Sequence, residues 1–166
     1  MRATLSTSTR HQALMAESVY SRDLAVYAWR LSDLAASRIF RRYMYSIERI
    51  SGQSALVDRW SHVLRAILLV EMLERPFWMR LIERTSSVFP GVGARSVGPF
   101  QMAASPFRFD AAVKDAAERL ECHFGRVDPT LDEIALYWNG AASRQPGAAM
   151  SYRLALEIST RVLLAV

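Results

Sequence analysis

The stretch AILLVEMLERPFW, residues 66–78, sets five consecutive apolar residues directly before a carboxylate, Glu71. Pro76 follows five positions later. Because the residue before a proline is pushed out of the helical region, a helix over about residues 55–75 is expected to end there. Burying a carboxylate costs several kcal/mol unless the group is paired or protonated. Glu71 is therefore the first candidate for a functional residue.

The pattern of apolar residues on both sides of this stretch is helical. Apolar residues recur at steps of three and four from about residue 16 to residue 50, which predicts helix. The segment 89–107 holds three of the seven glycines and three of the six prolines, and this composition is typical of a loop. No alternating strand pattern is present, so the fold is predicted to be mainly α. Further helices are predicted at about 77–87, 110–124 and 148–165. Another begins at residues 128–130 and ends at WNGAAS, residues 138–143.

The start of the helix near residue 130 has two candidate caps. Asp128 can cap it with Pro129 in the first turn. Thr130 with Glu133 offers a capping box instead. Both arrangements fit the sequence, and the choice between them stays open at this point.

Composition describes one basic domain. The 166 residues carry a net charge of +5, and a chain of about 100 to 200 residues is usually a single domain. Arginine supplies nearly all the positive charge, because Lys114 is the only lysine. Such a surface favours an anionic partner, namely nucleic acid, an acidic membrane face or an anionic cell-wall polymer. A single cysteine, Cys122, excludes an internal disulfide, and the three histidines lack metal-ligand spacing. Neither a metal nor a cofactor is predicted.

Targeting signals are not visible in the chain. Its first 18 residues, MRATLSTSTRHQALMAES, lack the apolar core of a signal peptide. The longest uninterrupted apolar run, AILLV, is far shorter than the roughly 20 residues that span a bilayer. We therefore expect a soluble chain with no membrane span.

Three motifs follow one another in an order that resembles the lysozyme-like superfamily, in particular lytic transglycosylases and goose-type lysozymes. A carboxylate, Glu71, ends an apolar helix; SVGPFQM, residues 96–102, closes a glycine-bearing loop on a glutamine; LYWNG, residues 136–140, precedes Tyr152. In that superfamily a hydrophobic helix delivers the catalytic Glu, a Gly-x-x-Gln loop lines the saccharide cleft, and a Tyr-Asn-small-Gly segment with a later Tyr closes the site. The resemblance covers about residues 60–155.

The resemblance implies a lysozyme-like helical domain over residues 51–166, with residues 1–50 as a flexible tail and a helical extension. It implies an enzyme that cleaves the β-1,4 bond between N-acetylmuramic acid and N-acetylglucosamine. Its partner would be peptidoglycan glycan strands rather than nucleic acid, in the cell envelope or periplasm, reached without a visible signal peptide. The oligomeric state is left open. The residues that would bind substrate are Ser96, Gly98, Phe100, Gln101, Tyr137, Asn139 and Tyr152.

Two acids compete for the catalytic role. The family usually follows its Glu with Ser, whereas Met72 follows Glu71 and Arg84 follows Glu83. Glu83, eighteen residues before Gln101, fits the family's interval better, while Glu71 fits the apolar approach. A carboxyl group that protonates a leaving oxygen at neutral pH needs a raised pKa, and desolvation against apolar side chains raises it. Glu71 is therefore preferred and Glu83 is the reserve.

The distribution of acidic residues in the sequence bears on the type of reaction. No Asp or Glu occurs between Arg84 and Phe109, whereas a hydrolase usually needs a second carboxylate. This favours the anhydro-forming reaction of lytic transglycosylases, in which one acid serves twice, over hydrolysis by a muramidase.

A non-catalytic interpretation is the alternative. Glu71 could simply pair with Arg75, four positions later on the helix. The segment RIFRRYMYSIER, residues 38–49, is either a solvated basic face or an anion-binding surface. The chain would then be a basic helical module that binds glycan, nucleic acid, a membrane or a partner helix.

Overall fold

The fold in the computed structural model is helical wherever the chain is described, that is, at residues 23–74, 100, 108–139 and 146–165. No strand occurs in these residues, which confirms the mainly α prediction. Helix α1 covers residues 23–36. The others are α2 (Arg38–Ser51), α3 (Ala55–Glu74), α4 (Phe109–Phe124), α5 (Leu131–Trp138) and α6 (Pro146–Ala165).

Helix α3 is the centre of the fold and packs against α2, α4 and α6. The five apolar residues before Glu71 are all buried, none of them more than 3% exposed. Because every side of this part of the helix is covered, the run needs no polar face. Burying a side chain such as Leu68 contributes about 1.5 to 3 kcal/mol, and α3 holds ten buried residues.

The N-terminal helices share the core of α3. Leu31 in α1 and Phe40 and Ile47 in α2 are at most 1% exposed and lie in one hydrophobic cluster with α3. The predicted helical extension is thus packed against the rest of the molecule over residues 23–50.

The uninterrupted helical pattern predicted up to residue 50 is broken at Ser37, and this is a correction to the sequence analysis. Ser37 is extended and its hydroxyl accepts a hydrogen bond from the backbone N–H of Phe40 at 3.2 Å. Such a cap satisfies one of the N–H groups that a helix start leaves without a partner. The chain therefore turns between α1 and α2 although the apolar spacing continues.

The two candidate caps of α5 are resolved in favour of Thr130. Its hydroxyl accepts from the backbone N–H of Glu133 at 3.3 Å, and the Glu133 carboxylate accepts from the backbone N–H of Thr130 at 2.7 Å. This reciprocal pair is the capping box. Asp128 instead faces Arg59 at 3.8 Å.

The helix predicted at 77–87 lies outside the described residues, as does the loop at 89–107 except for Phe100. None of the described helices is long and apolar enough to cross a membrane.

Candidate functional site

Two carboxylates emerge where α3 leaves the core. Glu71 is partly exposed and Glu74 is exposed, directly after the buried run. Residues three apart on a helix are neighbours, with about 5 to 6 Å between their Cβ atoms. The end of α3 therefore presents a pair of acids on one side of the helix.

Each acid accepts a hydrogen bond from a tyrosine of another helix. The Tyr152 hydroxyl, from α6, donates to Glu71 Oε1 at 2.8 Å. The Tyr27 hydroxyl, from α1, donates to Glu74 Oε1 at 2.9 Å. We call Tyr27, Glu71, Glu74 and Tyr152 the tyrosine–carboxylate cluster.

The packing of α6 on α3 explains how Tyr152 reaches Glu71. Ser159, a buried polar residue, donates from its hydroxyl to the Ala66 carbonyl at 3.1 Å. Going from Tyr152 to Ser159 along α6 thus means going back from Glu71 to Ala66 along α3. The two helices are antiparallel, and the start of α6 lies beside the end of α3.

The two phenols are electrostatically coupled to both acids. Burial raises the pKa of Tyr152 well above its ordinary value, and the charge of Glu71 and the hydrogen bond to it raise it further. Burial also raises the pKa of Tyr27, with the Glu74 charge and hydrogen bond as the next causes and the Glu71 charge as the last. Both tyrosines are therefore neutral hydrogen-bond donors at physiological pH.

The cluster brings together only two of the residues predicted from sequence. Glu71 and Tyr152, 81 positions apart, are in direct contact. Four residues of the predicted site lie outside the described residues, namely Glu83, Ser96, Gly98 and Gln101.

Phe100, expected to bind substrate, lies in the core. It is 1% exposed, and its ring centroid lies 6.2 Å from those of Phe109 and Trp138. A ring enclosed in this way offers no free face to a sugar. The structure thus places Phe100 in the core, and its role in substrate binding stays a prediction.

Tyr137 lies away from Glu71. Its ring stacks on His123 at 4.0 Å, and its hydroxyl donates to the Arg119 carbonyl at 3.2 Å. Its ring is 5.4 Å from Phe124, which in turn lies 6.1 Å from Trp60. Trp60 precedes Glu71 by three helical turns, or about 16 Å. Tyr137 therefore belongs to an aromatic group near the start of α3.

Asn139 ends α5. Its backbone N–H donates to the Ala135 carbonyl at 3.1 Å, and its φ of −89° is not left-handed.

Two members of the cluster, Tyr27 and Glu74, were not predicted as site residues. The sequence could have indicated Glu74, because an acid three positions after Glu71 lies on the same side of the helix. It could not have indicated Tyr27, because the position of Tyr27 in a row of apolar residues predicts only that its side chain faces the core.

The function of the site is indicated neither by metal ligands among the described residues nor by similarity to a known protein. The described part of the chain contains no group of three or more His, Cys, Asp or Glu that could hold a metal ion. Comparisons of the chain with protein-family models, with characterised proteins and with solved structures find no match. The chemistry available at the end of α3 is that of two carboxyl groups and two phenols.

Proposed function

We propose that the protein cleaves the β-1,4 bond between N-acetylmuramic acid and N-acetylglucosamine in peptidoglycan, with Glu71 as the general acid/base. The observation that carries this proposal is the 2.8 Å hydrogen bond from Tyr152 to Glu71. The resemblance to lytic transglycosylases assigns these two residues to one site, as the acid and as the later tyrosine. A lysozyme-like fold and a place in the cell envelope are parts of the same proposal.

The surroundings of Glu71 suit this role. The residues before it are buried and the carboxyl group itself is partly exposed, so a glycan can approach an acid held at the edge of an apolar core. The Tyr152 phenol fixes the orientation of the carboxyl group. Positioning of this kind matters because a general acid must lie within hydrogen-bond reach of the oxygen it protonates.

In the anhydro-forming reaction Glu71 acts twice. Its carboxyl proton passes to the glycosidic oxygen as the bond to the muramoyl C1 breaks. The resulting carboxylate then takes the proton of the muramoyl 6-hydroxyl, whose oxygen bonds to C1 and closes the anhydro ring. No water is consumed, and Glu71 ends in its starting protonation state.

Glu74 makes hydrolysis a specific second candidate. A retaining hydrolase holds its two carboxyl groups about 5 to 5.5 Å apart, and an inverting one about 6.5 to 9.5 Å. Glu74 is a carboxylate on the same side of the same helix as Glu71, held by Tyr27. The glycine-bearing loop at 89–107 holds no acid, so Glu74 at the end of α3 is the candidate for the second carboxylate.

Digestion of purified peptidoglycan with identification of the products by mass spectrometry tests the proposal. The variants are Glu71→Gln, Glu74→Gln and Glu83→Gln, with the exposed acid Glu118 of α4 changed to Gln as a matched control. Anhydro products that disappear only in Glu71→Gln support the single-acid reaction. Reducing-end products that disappear in both Glu71→Gln and Glu74→Gln make the protein a muramidase.

Two outcomes contradict the proposal. If activity is lost in Glu83→Gln and kept in Glu71→Gln, the reserve acid is the catalyst. If the folded wild type gives no products, the protein is not a peptidoglycan-cleaving enzyme, and the basic binding module becomes the better description.

A further inference from the structure

Helix α2 presents a basic side to the solvent. Arg38, Arg41, Arg42 and Tyr45 follow the spacing i, i+3, i+4 and i+7 and are all exposed, so they share one side of the helix. Together with Ser46 they line a shallow depression on the surface. We call these residues and the neighbouring Ile39 the α2 face.

The three arginines have no ion-pair partner among the described residues. Two other arginines nearby do form ion pairs. Arg49 of α2 pairs with Asp110 of α4 at 2.6 Å, and Arg65 of α3 pairs with Glu48 of α2 at 3.5 Å. The α2 face therefore holds positive charge that the described fold does not neutralise.

The position of the arginines is unfavourable for the helix itself. They lie within the first five residues of α2, and no acidic residue occurs in the first turn. The N-terminal end of a helix already carries a partial positive charge, so cations there are disfavoured. A sequence that breaks a local stability rule without compensation points to a functional use.

Apolar side chains are exposed among these charges. Ile39 is 63% exposed and Tyr45 is 69% exposed. An isoleucine has nothing to pair with on a phosphate backbone or on a hydrophilic wall polymer. A membrane surface offers both partners, because its phosphates bind arginine while its interface takes up aliphatic and aromatic side chains.

We infer that the α2 face docks the protein on an anionic phospholipid surface. Arg38, Arg41 and Arg42 contact lipid phosphates, and Ile39 and Tyr45 enter the interfacial region. Three arginines and two apolar side chains give a weak and reversible attachment. Such docking is independent of Glu71, and it would hold a wall-cleaving enzyme next to the membrane.

Vesicle sedimentation tests the inference with the whole chain. Neutral phosphatidylcholine vesicles are compared with vesicles that also contain phosphatidylglycerol. The wild type is expected to bind only the anionic vesicles, and more weakly as salt rises. Because each arginine near the surface is worth about 1 kcal/mol, the triple change Arg38→Gln, Arg41→Gln and Arg42→Gln should weaken binding about a hundredfold.

A charge-matched control separates the α2 face from net charge. The exposed residues Arg108, Arg126 and Arg161 lie outside α2, and changing all three to Gln lowers the net charge by the same amount. This control should bind as the wild type does. Equal losses in the two triple variants would show adsorption by net charge alone and would overturn the inference.

Ile39→Ala distinguishes a membrane from other polyanions. On vesicles it should weaken binding about fivefold, because an inserted aliphatic side chain is lost. If Ile39→Ala has no effect, or a single-stranded oligonucleotide binds more tightly than the vesicles, the partner is a polyanion in solution and the inference is wrong. Absence of vesicle binding by the wild type also overturns it.

Thermal unfolding of the same variants separates function from folding. With three cations removed from the start of α2, the triple variant should unfold at the same temperature as the wild type or a higher one. A lower unfolding temperature would mean that these arginines serve the fold. Glu71→Gln should bind vesicles normally, so failure of the catalytic proposal leaves this result unaffected.

Discussion

The contact between Tyr152 and Glu71 should be worth a measurable coupling free energy. Tyr152→Phe keeps the ring and removes only the hydroxyl that donates at 2.8 Å. Hydrogen bonds to charged groups contribute about 1.5 to 3 kcal/mol. Because Glu71 is partly exposed and water can replace the lost donor, we expect the lower end, about 1.5 kcal/mol, in the free energy of unfolding.

Glu71→Gln keeps an acceptor at the same position. A neutral amide oxygen can still accept from the phenol, and neutral hydrogen bonds contribute about 0.5 to 1.5 kcal/mol. A double-mutant cycle with both changes should therefore give a coupling of about 0.5 kcal/mol, which is the difference between the charged and the neutral hydrogen bond. The measurement is urea unfolding at pH 7, followed by far-UV circular dichroism.

The Tyr27–Glu74 pair is the matched control for this cycle. Its geometry is nearly the same, at 2.9 Å, but Glu74 is exposed. Tyr27→Phe should therefore cost less than Tyr152→Phe. If Tyr152→Phe costs less than about 0.5 kcal/mol, the lower end for any protein hydrogen bond, the contact is refuted as an energetic link.

Three further predictions concern the pH dependence and the stability of the fold. The pKa of Tyr27 in the folded protein is raised above the ordinary value of a tyrosine, about 10. The unfolded chain therefore loses that proton first, and the free energy of unfolding should fall as the pH rises above about 10. Urea titrations at pH 9 and 11 should show a smaller fall for Tyr27→Phe than for the wild type, and an equal fall would contradict this. Leu68→Ala, at a fully buried position of α3, should destabilise by about 2 to 5 kcal/mol, as measured by chemical unfolding, whereas a cost below about 1 kcal/mol would place Leu68 outside the core. Thr130→Ala removes the N-cap of α5 and should cost about 1 kcal/mol, with Thr130→Ser close to the wild type in the same assay.

The sequence predicted the elements whose signals are local. The predicted start of α3 at about residue 55 matches Ala55, and the prediction for α4 at 110–124 matches Phe109–Phe124. The end predicted before Pro76 stays a prediction, since residues 75 and 76 lie outside the described residues. These bounds depend on apolar content and on helix-breaking residues, which are properties of short windows.

The break at Ser37 was missed because its signal is weak. The apolar spacing continues from α1 into α2, and the third residue after the cap is Phe40, not the Glu or Gln of a capping box. At Thr130 the box is complete and the structure uses it. The difference lies in one side chain, because the Glu133 carboxylate accepts a hydrogen bond from the backbone N–H of the capping residue Thr130.

The candidate site was predictable only in part, for a geometric reason. Glu71 carries a local signal, and Tyr152 was found only through a resemblance in motif order. Tyr27 meets Glu74 because α1 packs at the end of α3, 47 residues further along the chain. The angle at which one helix packs against another is not determined by any short stretch of sequence. Such a contact therefore cannot be predicted from the spacing of apolar residues.

The position of the cluster follows from the way α3 is buried. A helix whose middle is enclosed on all sides can carry acids only where it leaves the core, and Glu71 and Glu74 are placed there. At that point α1 and α6 each supply a phenol, and the two phenols donate to Glu74 and Glu71. A phenol is a neutral donor, and it fixes the orientation of the carboxyl group that accepts from it. Residues 23–36, which the sequence assigned to an extension, therefore contribute to the cluster through Tyr27.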